Sequence, residues 1–216
     1  MKKIVVFIAF IMMIAPVMSY AQKTTITSVN THKTYQQTQR NIQIWYQGEY
    51  NLGFATGNKV EMIGMTNKTN FMRPFLETVQ GVRITQYAFA GVGLGFQYAF
   101  GRLSPEDGEG SDNWNTLLMP VYLNLKGYIP VTEDLSPFLS LSFGVPAVLA
   151  NGLIEDEGRL AGRYYGEYGV GVKYKKYHCS LGFQNVNMEL VSSDADDIEF
   201  GLKVKNSFFI KVGMVF

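Results

Sequence analysis

Several residue types that often reveal a protein's chemistry are scarce in this chain. Cysteine occurs once, as Cys179, so no disulfide can form within the chain. Histidine occurs only as His32 and His178, and no His/Cys cluster predicts a metal or cofactor site. The 19 basic and 18 acidic residues nearly balance, which gives no reason to expect nucleic acid as a partner. After residue 21 no apolar run approaches the ~20 residues of a membrane helix.

The first 21 residues have the pattern of an export signal. Lys2 and Lys3 precede an apolar run that begins at Ile4, and the run ends in Ser19-Tyr20-Ala21. We expect residues 1–21 to be a signal peptide cleaved after Ala21, with a retained membrane anchor as the alternative. Residues 22–41 are polar and show neither the helix nor the strand period, which predicts a short flexible tail.

What the chain has in abundance is two-residue alternation, the period of a β-strand. In "AFAGVGLGFQYAF", residues 88–100, one face is apolar and aromatic while the other is mostly glycine with Gln97. The pattern of residues 88–100 recurs in six other segments, namely 42–54, 117–125, 137–145, 165–174, 177–185 and 208–216. An eighth segment, residues 72–84, has a mixed pattern whose two faces the sequence does not assign.

The connections between these segments alternate between short and long. Three are short, at 84–87, 130–136 and 174–177, while the segments 55–71, 101–114, 146–163 and 186–205 are long. Eight strands with short turns at one end and long loops at the other are typical of membrane barrels. We therefore predict that residues 42–216 form an all-β, eight-stranded antiparallel transmembrane β-barrel, with short periplasmic turns and long extracellular loops.

The alternative is a soluble barrel or sandwich whose apolar face points inward. Because eight strands enclose a space just wide enough for side chains, the bulky apolar set would overfill it. The glycine-rich, polar set fits that interior better, and the apolar set then faces lipid. We expect an aromatic girdle near the strand ends, formed by Tyr87, Phe89, Tyr98, Phe100, Phe138, Tyr174, Tyr177, Phe183 and Phe216.

With these patterns the chain resembles the small eight-stranded outer-membrane barrels of OmpX/OmpA-type architecture. "GVRITQYAFAGVGLGFQYAF" is similar to the strand-turn-strand core of the PorT-like outer-membrane β-barrel family. The resemblance implies the bacterial outer membrane as the location, with lipid and lipopolysaccharide as surroundings. The final "FFIKVGMVF" resembles the family's assembly signal, which implies the barrel assembly machinery as a transient partner through Phe208, Ile210, Val212, Met214 and Phe216.

Five charged residues are predicted to form a polar network in the lumen: Glu49, Lys126, Glu167, Lys173 and Lys211. Charges inside a narrow barrel are costly unless they are paired or hydrated. We expect these side chains to form a salt-bridge network that plugs the lumen, and a polar pathway or gate is the alternative.

The pair His178 and Ser180 resembles, in one respect, the outer-membrane lipid A deacylases, which carry a His and a Ser two residues apart on a strand. Glu189 or Glu199 is the nominal third member. The pair lies at the short-turn end, however, and the alternation points both side chains into the lumen. We therefore expect no catalytic residues and no enzymatic activity.

Acidic residues are concentrated in the long connections. They occur in "SPEDGEGSDN" and "IEDEG" and in "SSDADDIE", where Asp194, Asp196, Asp197 and Glu199 are candidate divalent-cation contacts. Such loops suit cations shared with lipopolysaccharide, but acidic loop tips are also commonly just solvated.

The expected function is a non-enzymatic outer-membrane barrel with a filled lumen that acts through its acidic surface loops. Envelope integrity, surface interaction or an accessory role in an envelope secretion or assembly complex fit this reading, although the sequence does not identify the partner. The alternatives are a small porin-like channel or carrier for a small or hydrophobic ligand, and a lipid A-modifying hydrolase.

Overall fold

The computed structural model describes residues 24–25, 43–62, 65–103, 112–151, 158–192 and 200–216, with side chains described in the central parts of these ranges. No helix long and apolar enough to cross a membrane occurs in this part of the chain. The strands are β1 (Thr24–Thr25), β2 (Gln43–Met62), β3 (Met65–Ile84), β4 (Ala88–Leu103), β5 (Asp112–Tyr128), β6 (Leu135–Asn151), β7 (Gly158–Tyr174), β8 (Tyr177–Ser192) and β9 (Phe200–Val215).

Strands β2 to β9 form a closed barrel in which every neighbouring pair is antiparallel. The barrel closes between β2 and β9, which pair from Glu49↔Val215 to Met62↔Leu202. Closure satisfies the backbone groups of all eight strands, and a membrane-spanning sheet requires this. The predicted eight-stranded antiparallel barrel is confirmed.

The short strand β1 lies within the segment predicted as a tail. It pairs with β2 at Thr24↔Ile44 and Thr25↔Gln43, next to the point where β9 ends at Val215. Strand β1 therefore pairs with β2 just beyond the point where the pairing of β2 with β9 ends. The predicted signal peptide and the rest of the predicted tail lie outside the described residues.

Side chains alternate between an apolar exterior and a mixed interior. Leu139, Leu141, Phe143 and Val145 of β6 are exposed, whereas Ser140 and Ser142 between them are buried. Cys179 is also on the exposed face, as the alternation predicts. An apolar exterior around the whole sheet is the surface that a bilayer accommodates, because lipid imposes no penalty on it.

Strand β3 includes the segment whose faces the sequence left unassigned. Its buried positions carry Phe71, Arg73, Phe75, Glu77, Val79 and Arg83, and its exposed positions include Met72, Leu76, Val82 and Ile84. The lumen thus receives both aromatic and charged side chains from this strand.

Glycines on neighbouring strands make room for large lumen side chains. A Cβ atom at Gly53 would meet the ring of Phe75, and one at Gly93 would meet the ring of Tyr122. Phe89 and Phe138 also point inward and are nearly fully buried, so their predicted place in the lipid-facing girdle is wrong. The alternation itself places Phe89 with Gly91 and Phe138 with Ser140 on the inner face. The girdle prediction is wrong for these two residues because it used only their nearness to strand ends.

The strands extend beyond the predicted boundaries at the loop end of the barrel. Most of the predicted loop 55–71 is strand, since β2 continues to Met62 and remains paired with β3 down to Met62↔Met65. The other long connections are likewise shortened by strand extensions. Backbone pairing continues past the lipid, where the apolar alternation that marked the strands is no longer needed.

Candidate functional site: two ion-pair clusters in the lumen

The first cluster lies in the middle of the lumen and is centred on Lys211 of β9. Its Nζ lies 2.5 Å from Glu167 Oε1 and 3.4 Å from Glu77 Oε2. All three side chains are nearly fully buried, so each charge depends on the others for compensation. We call Arg73, Glu77, Glu167 and Lys211 the middle cluster.

Neutral side chains fill the remaining hydrogen-bonding positions of the middle cluster. Gln184 Nε2 donates to Glu167 Oε2 at 2.7 Å, and the Tyr165 hydroxyl donates to the same oxygen at 3.1 Å. Arg73 donates from Nη2 to Gln184 Oε1 at 3.0 Å, which ties its guanidinium to the carboxylates through one amide. The cluster thereby crosslinks β3, β7, β8 and β9 across the barrel.

The second cluster lies nearer the short turns and is centred on Glu49 of β2. Its carboxylate forms a close ion pair with Lys126 of β5 and lies 3.8 Å from His178 Nε2. Gln47 Nε2 donates to Glu49 Oε1 at 3.0 Å. The rings of Phe89 and Phe138 lie beside the Lys126 ammonium group, at 5.7 and 5.2 Å from the ring centroids.

Arg83 of β3 lies between this second cluster and the end of the barrel. Its guanidinium donates to Gln47 Oε1 at 3.2 Å and to the main-chain oxygen of Gln86 at 2.8 Å. It also lies 4.0 Å from the centroid of the Tyr128 ring. These partners are neutral, so they hold the guanidinium in place without cancelling its charge. We call Glu49, Arg83, Lys126 and His178 the mouth cluster.

The barrel end at the short turns contains a cavity of about 450 Å³. Arg83 lies at its inner wall, and Lys173, Lys175 and Lys176 lie around it together with Glu133. Trp45, Tyr46 and Phe216 supply its aromatic surface. We call this space the mouth cavity. Lys173, which the sequence placed in the lumen network, is half-buried here and lines the cavity together with Arg83.

Sequence reasoning brought together four of the residues in the two clusters and missed three. The structure pairs Lys126 with Glu49 and Lys211 with Glu167, whereas Arg73, Glu77 and Arg83 were not named because β3 had no assigned faces. A signal was present, since positions 73, 77 and 83 share one face of a strand. Because charged side chains avoid the lipid face, these three residues alone identify which face of β3 points into the lumen.

The C-terminal strand has the exposure that its predicted assembly signal requires. Phe208, Ile210, Val212 and Met214 are exposed on the outer face. Phe216 stacks on Tyr50 with ring centroids 5.1 Å apart, and its main chain exchanges two hydrogen bonds of 2.9 Å with Gly48. A role in assembly stays a prediction.

The remaining candidate residues fall into two groups. His178 and Ser180 both point into the lumen and are buried there, as the alternation predicts. Asp194, Asp196, Asp197 and Glu199 lie in the segment 193–199, which is outside the described residues. No group of three or more His, Cys, Asp or Glu side chains suited to a metal ion occurs in the described part of the chain.

A second concavity of about 620 Å³ lies in the outer wall near the turn end. It is lined by apolar exterior residues, among them Leu52, Val172 and Val212, and also by the lumen residues Asn51 and His178 beside Gly213. The wall is thin here because Gly213 has no side chain. We call this concavity the wall groove.

A closed eight-stranded antiparallel barrel with an apolar exterior and a charged, packed interior has the structure of a small outer-membrane β-barrel. The chain is a protein of this class, and the class is found in the outer membrane of bacteria. The comparisons with known proteins agree on the fold.

The outer-membrane protein OprG from Pseudomonas aeruginosa superposes with a TM-score of 0.51 at 12% identity, over 79% of this chain and 95% of OprG. The outer-membrane protein AlkL, solved by solid-state NMR in lipid bilayers, gives a TM-score of 0.50 at 10% identity, over 88% of this chain and 97% of AlkL. At these identities the likeness shows the fold. No family model and no curated relative matches the chain, so the narrower PorT-like resemblance stays a prediction.

Proposed function

We propose that this protein is a closed, non-enzymatic outer-membrane barrel whose work is done at its ends and not through an open pore. The packed lumen is the observation that carries this proposal. Arg73, Tyr165, Phe71, Phe89 and Phe209 are among the largest fully buried side chains, and all of them point inward. An eight-stranded barrel has room for its own side chains and little else.

The test is the conductance of the refolded protein in a planar bilayer, with heat-modifiable gel migration to show that the barrel has formed. We expect folded protein without conductance steps. Tyr165→Ala combined with Phe209→Ala removes two lumen side chains and serves as the positive control, which we expect to conduct. Reproducible steps from the unaltered protein would overturn the proposal.

The outer end is the first place to look for the function of a closed barrel. The segments that join the strands there contain Asp194, Asp196, Asp197 and Glu199, and carboxylates of this kind can share divalent cations with the phosphates of lipopolysaccharide. We expect calcium-dependent retention of lipopolysaccharide that is lost when these four residues are changed to Asn and Gln. Asp196→Asn with Asp197→Asn is also compared with a matched control, in which Glu133 and Asp134, two carboxylates at the opposite end, are changed to Gln and Asn.

An accessory role in an envelope complex belongs to the same proposal, since an acidic outer face is also suited to a protein partner. Mild cross-linking of membranes followed by purification tests it. A protein that always migrates alone would exclude this role. A strain carrying His178→Ala provides the enzymatic test, because the proposal requires that its lipid A be unchanged.

The wall groove favours a second candidate, a carrier for a small hydrophobic ligand. It joins the lipid-facing surface to Asn51 and His178 inside the barrel, so an apolar molecule could enter sideways without an open axial pore. Uptake of a fluorescent alkane analogue into vesicles tests it. Gly213→Ala, whose Cβ would meet Asn51 Oδ1 and His178 Nε2, is expected to abolish that uptake if this candidate is right.

A further inference from the structure

The mouth cavity is independent of the functions proposed for the outer end and the wall groove. Its lining carries more positive than negative charge. Four cationic side chains line it, Arg83, Lys173, Lys175 and Lys176, against the side chain of Glu133 and the terminal carboxylate of Phe216. Lys175 Nζ lies 4.0 Å from Asp134 Oδ2, so one of these cations has a partner on the rim. The other three still outnumber the two carboxylates that line the cavity.

Arg83 is the residue that marks this cavity as a built site. Its side chain is only 6% exposed, yet its described hydrogen bonds go to the neutral groups of Gln47 and Gln86. Its Nε has no hydrogen-bond partner among the described residues. The nearby carboxylate of Glu49 is already paired with Lys126. A buried, oriented guanidinium with a donor to spare is the usual anchor for phosphate or carboxylate groups.

The segment that precedes β2 supplies no acidic side chain to fill the cavity. Residues 22–41 contain Lys23, Lys33 and Arg40 but no Asp or Glu. The acidic stretches of the chain belong to the connections at the opposite end of the barrel. The positive charge at the periplasmic mouth is therefore available to a molecule from outside the chain.

The size and surface of the cavity define the ligand further. A volume of about 450 Å³ lies within the range of small-molecule sites, ~300–1,000 Å³. Trp45, Tyr46 and Phe216 present aromatic surface beside the cations. We propose that the mouth cavity binds a small organic anion from the periplasmic side, with a phosphate or carboxylate group held by Arg83 and Lys173 and an apolar part packed on the aromatic side chains.

Fluorescence of Trp45 reads this site directly. Trp114→Phe leaves Trp45 as the only tryptophan, and this parent protein is refolded in phosphatidylcholine nanodiscs. We expect phenyl phosphate to change the emission saturably and benzyl alcohol, its neutral counterpart, to leave it unchanged. Added salt should weaken the binding, because an ionic contact at an open mouth is screened. Calorimetric titration measures the same affinity independently of the fluorescence.

Variants distinguish binding at this site from non-specific attraction of the anion to other cationic side chains of the protein. Arg83→Gln with Lys173→Gln should weaken phenyl phosphate binding at least about tenfold, since each removes a charge-assisted contact. Lys203→Gln with Lys205→Gln, an equal charge change near the other end of β9, should leave the affinity unchanged. Heat-modifiable migration checks folding, and Lys173→Gln with Lys176→Gln replaces the first variant if Arg83 proves necessary for assembly.

The source of the anion is a separate arm of the experiment. Nanodiscs containing phosphatidylglycerol should compete with phenyl phosphate if the natural ligand is a lipid headgroup, and should have no effect if it is a soluble molecule. The proposal is overturned if calorimetry finds no saturable binding, if benzyl alcohol binds as well, or if the cavity variants bind with unchanged affinity.

Discussion

The middle cluster and the mouth cluster use the same residue types in different surroundings. In the middle cluster, Arg73 and Lys211 balance Glu77 and Glu167, and all four side chains are buried among neutral hydrogen-bonding groups. In the mouth cluster Glu49 balances Lys126, which leaves the charge of Arg83 beside an open cavity. The difference indicates that the first cluster holds strands together, whereas the second also leaves charge available for a ligand.

The largest effect is expected from Lys211→Met in the middle cluster. The substitution leaves two buried carboxylates without their shared cation, and breaking a buried ion pair costs about 3–5 kcal/mol. Urea unfolding of protein refolded in phosphatidylcholine vesicles measures the loss. Lys175→Met removes an exposed lysine paired with Asp134 and should change the free energy of unfolding by no more than about 1 kcal/mol.

A compensated variant sharpens this result. Adding Glu77→Gln and Glu167→Gln to Lys211→Met removes all three charges, so we expect much of the lost stability to return. If Lys211→Met costs no more than Lys175→Met, the middle cluster does not stabilise the barrel. If the triple variant is as unstable as the single one, packing and not charge is the cause.

A smaller effect is expected from Lys126→Met in the mouth cluster. Glu49 keeps its hydrogen bond from Gln47, His178 lies close to it, and the mouth cavity is near. We therefore expect a loss of about 2 kcal/mol, between the cost of an unpaired polar group and that of a deeply buried charge. The same urea titration measures it. A loss equal to that of Lys211→Met would remove the distinction between the clusters.

The sequence predicts the barrel well because one physical rule repeats in most strands. Lipid requires an apolar outer face, and the resulting alternation is visible in residues 88–100 without any knowledge of the neighbours. Strand β3 breaks the pattern because Pro74 and Gln80 lie on its outer face while Phe71 and Phe75 lie inside. Its two faces therefore have similar hydropathy, and the inner face is identified only by the odd positions that Arg73, Glu77 and Arg83 share.

The pairing inside the lumen was less predictable, because it depends on contacts across the barrel. Glu49 could have met any of several inward lysines, and the choice of Lys126 follows from the strand register and tilt. The same holds for the aromatic residues. Phe138 has the inward parity of Ser140, but the space for its ring beside Gly171 on the next strand is not visible in a single-strand pattern.

Glycine positions in the barrel wall also differ in whether they have room for a side chain. A Cβ at Gly182, close to the middle cluster, would lie 2.5 Å from the Gly169 Cα, and backbone cannot move aside easily. A Cβ at Gly127, on the outer face near the turn end, meets nothing within 4 Å. We expect Gly182→Ala to lower the free energy of unfolding by about 1–2 kcal/mol. Gly127→Ala should stay within about 0.5 kcal/mol of the parent, and equal effects would contradict the packing described here.

The smallest effect on stability, and the clearest separation of the two regions, is expected from Lys173→Gln. Lys173 is half-buried at the mouth and belongs to neither cluster, so its loss should change the free energy of unfolding by less than about 0.5 kcal/mol. Phenyl phosphate affinity should nevertheless fall severalfold. A variant that loses stability and binding together would show that the mouth, like the middle of the lumen, is a structural plug, whereas loss of binding alone is what an anion site at a stable barrel end requires.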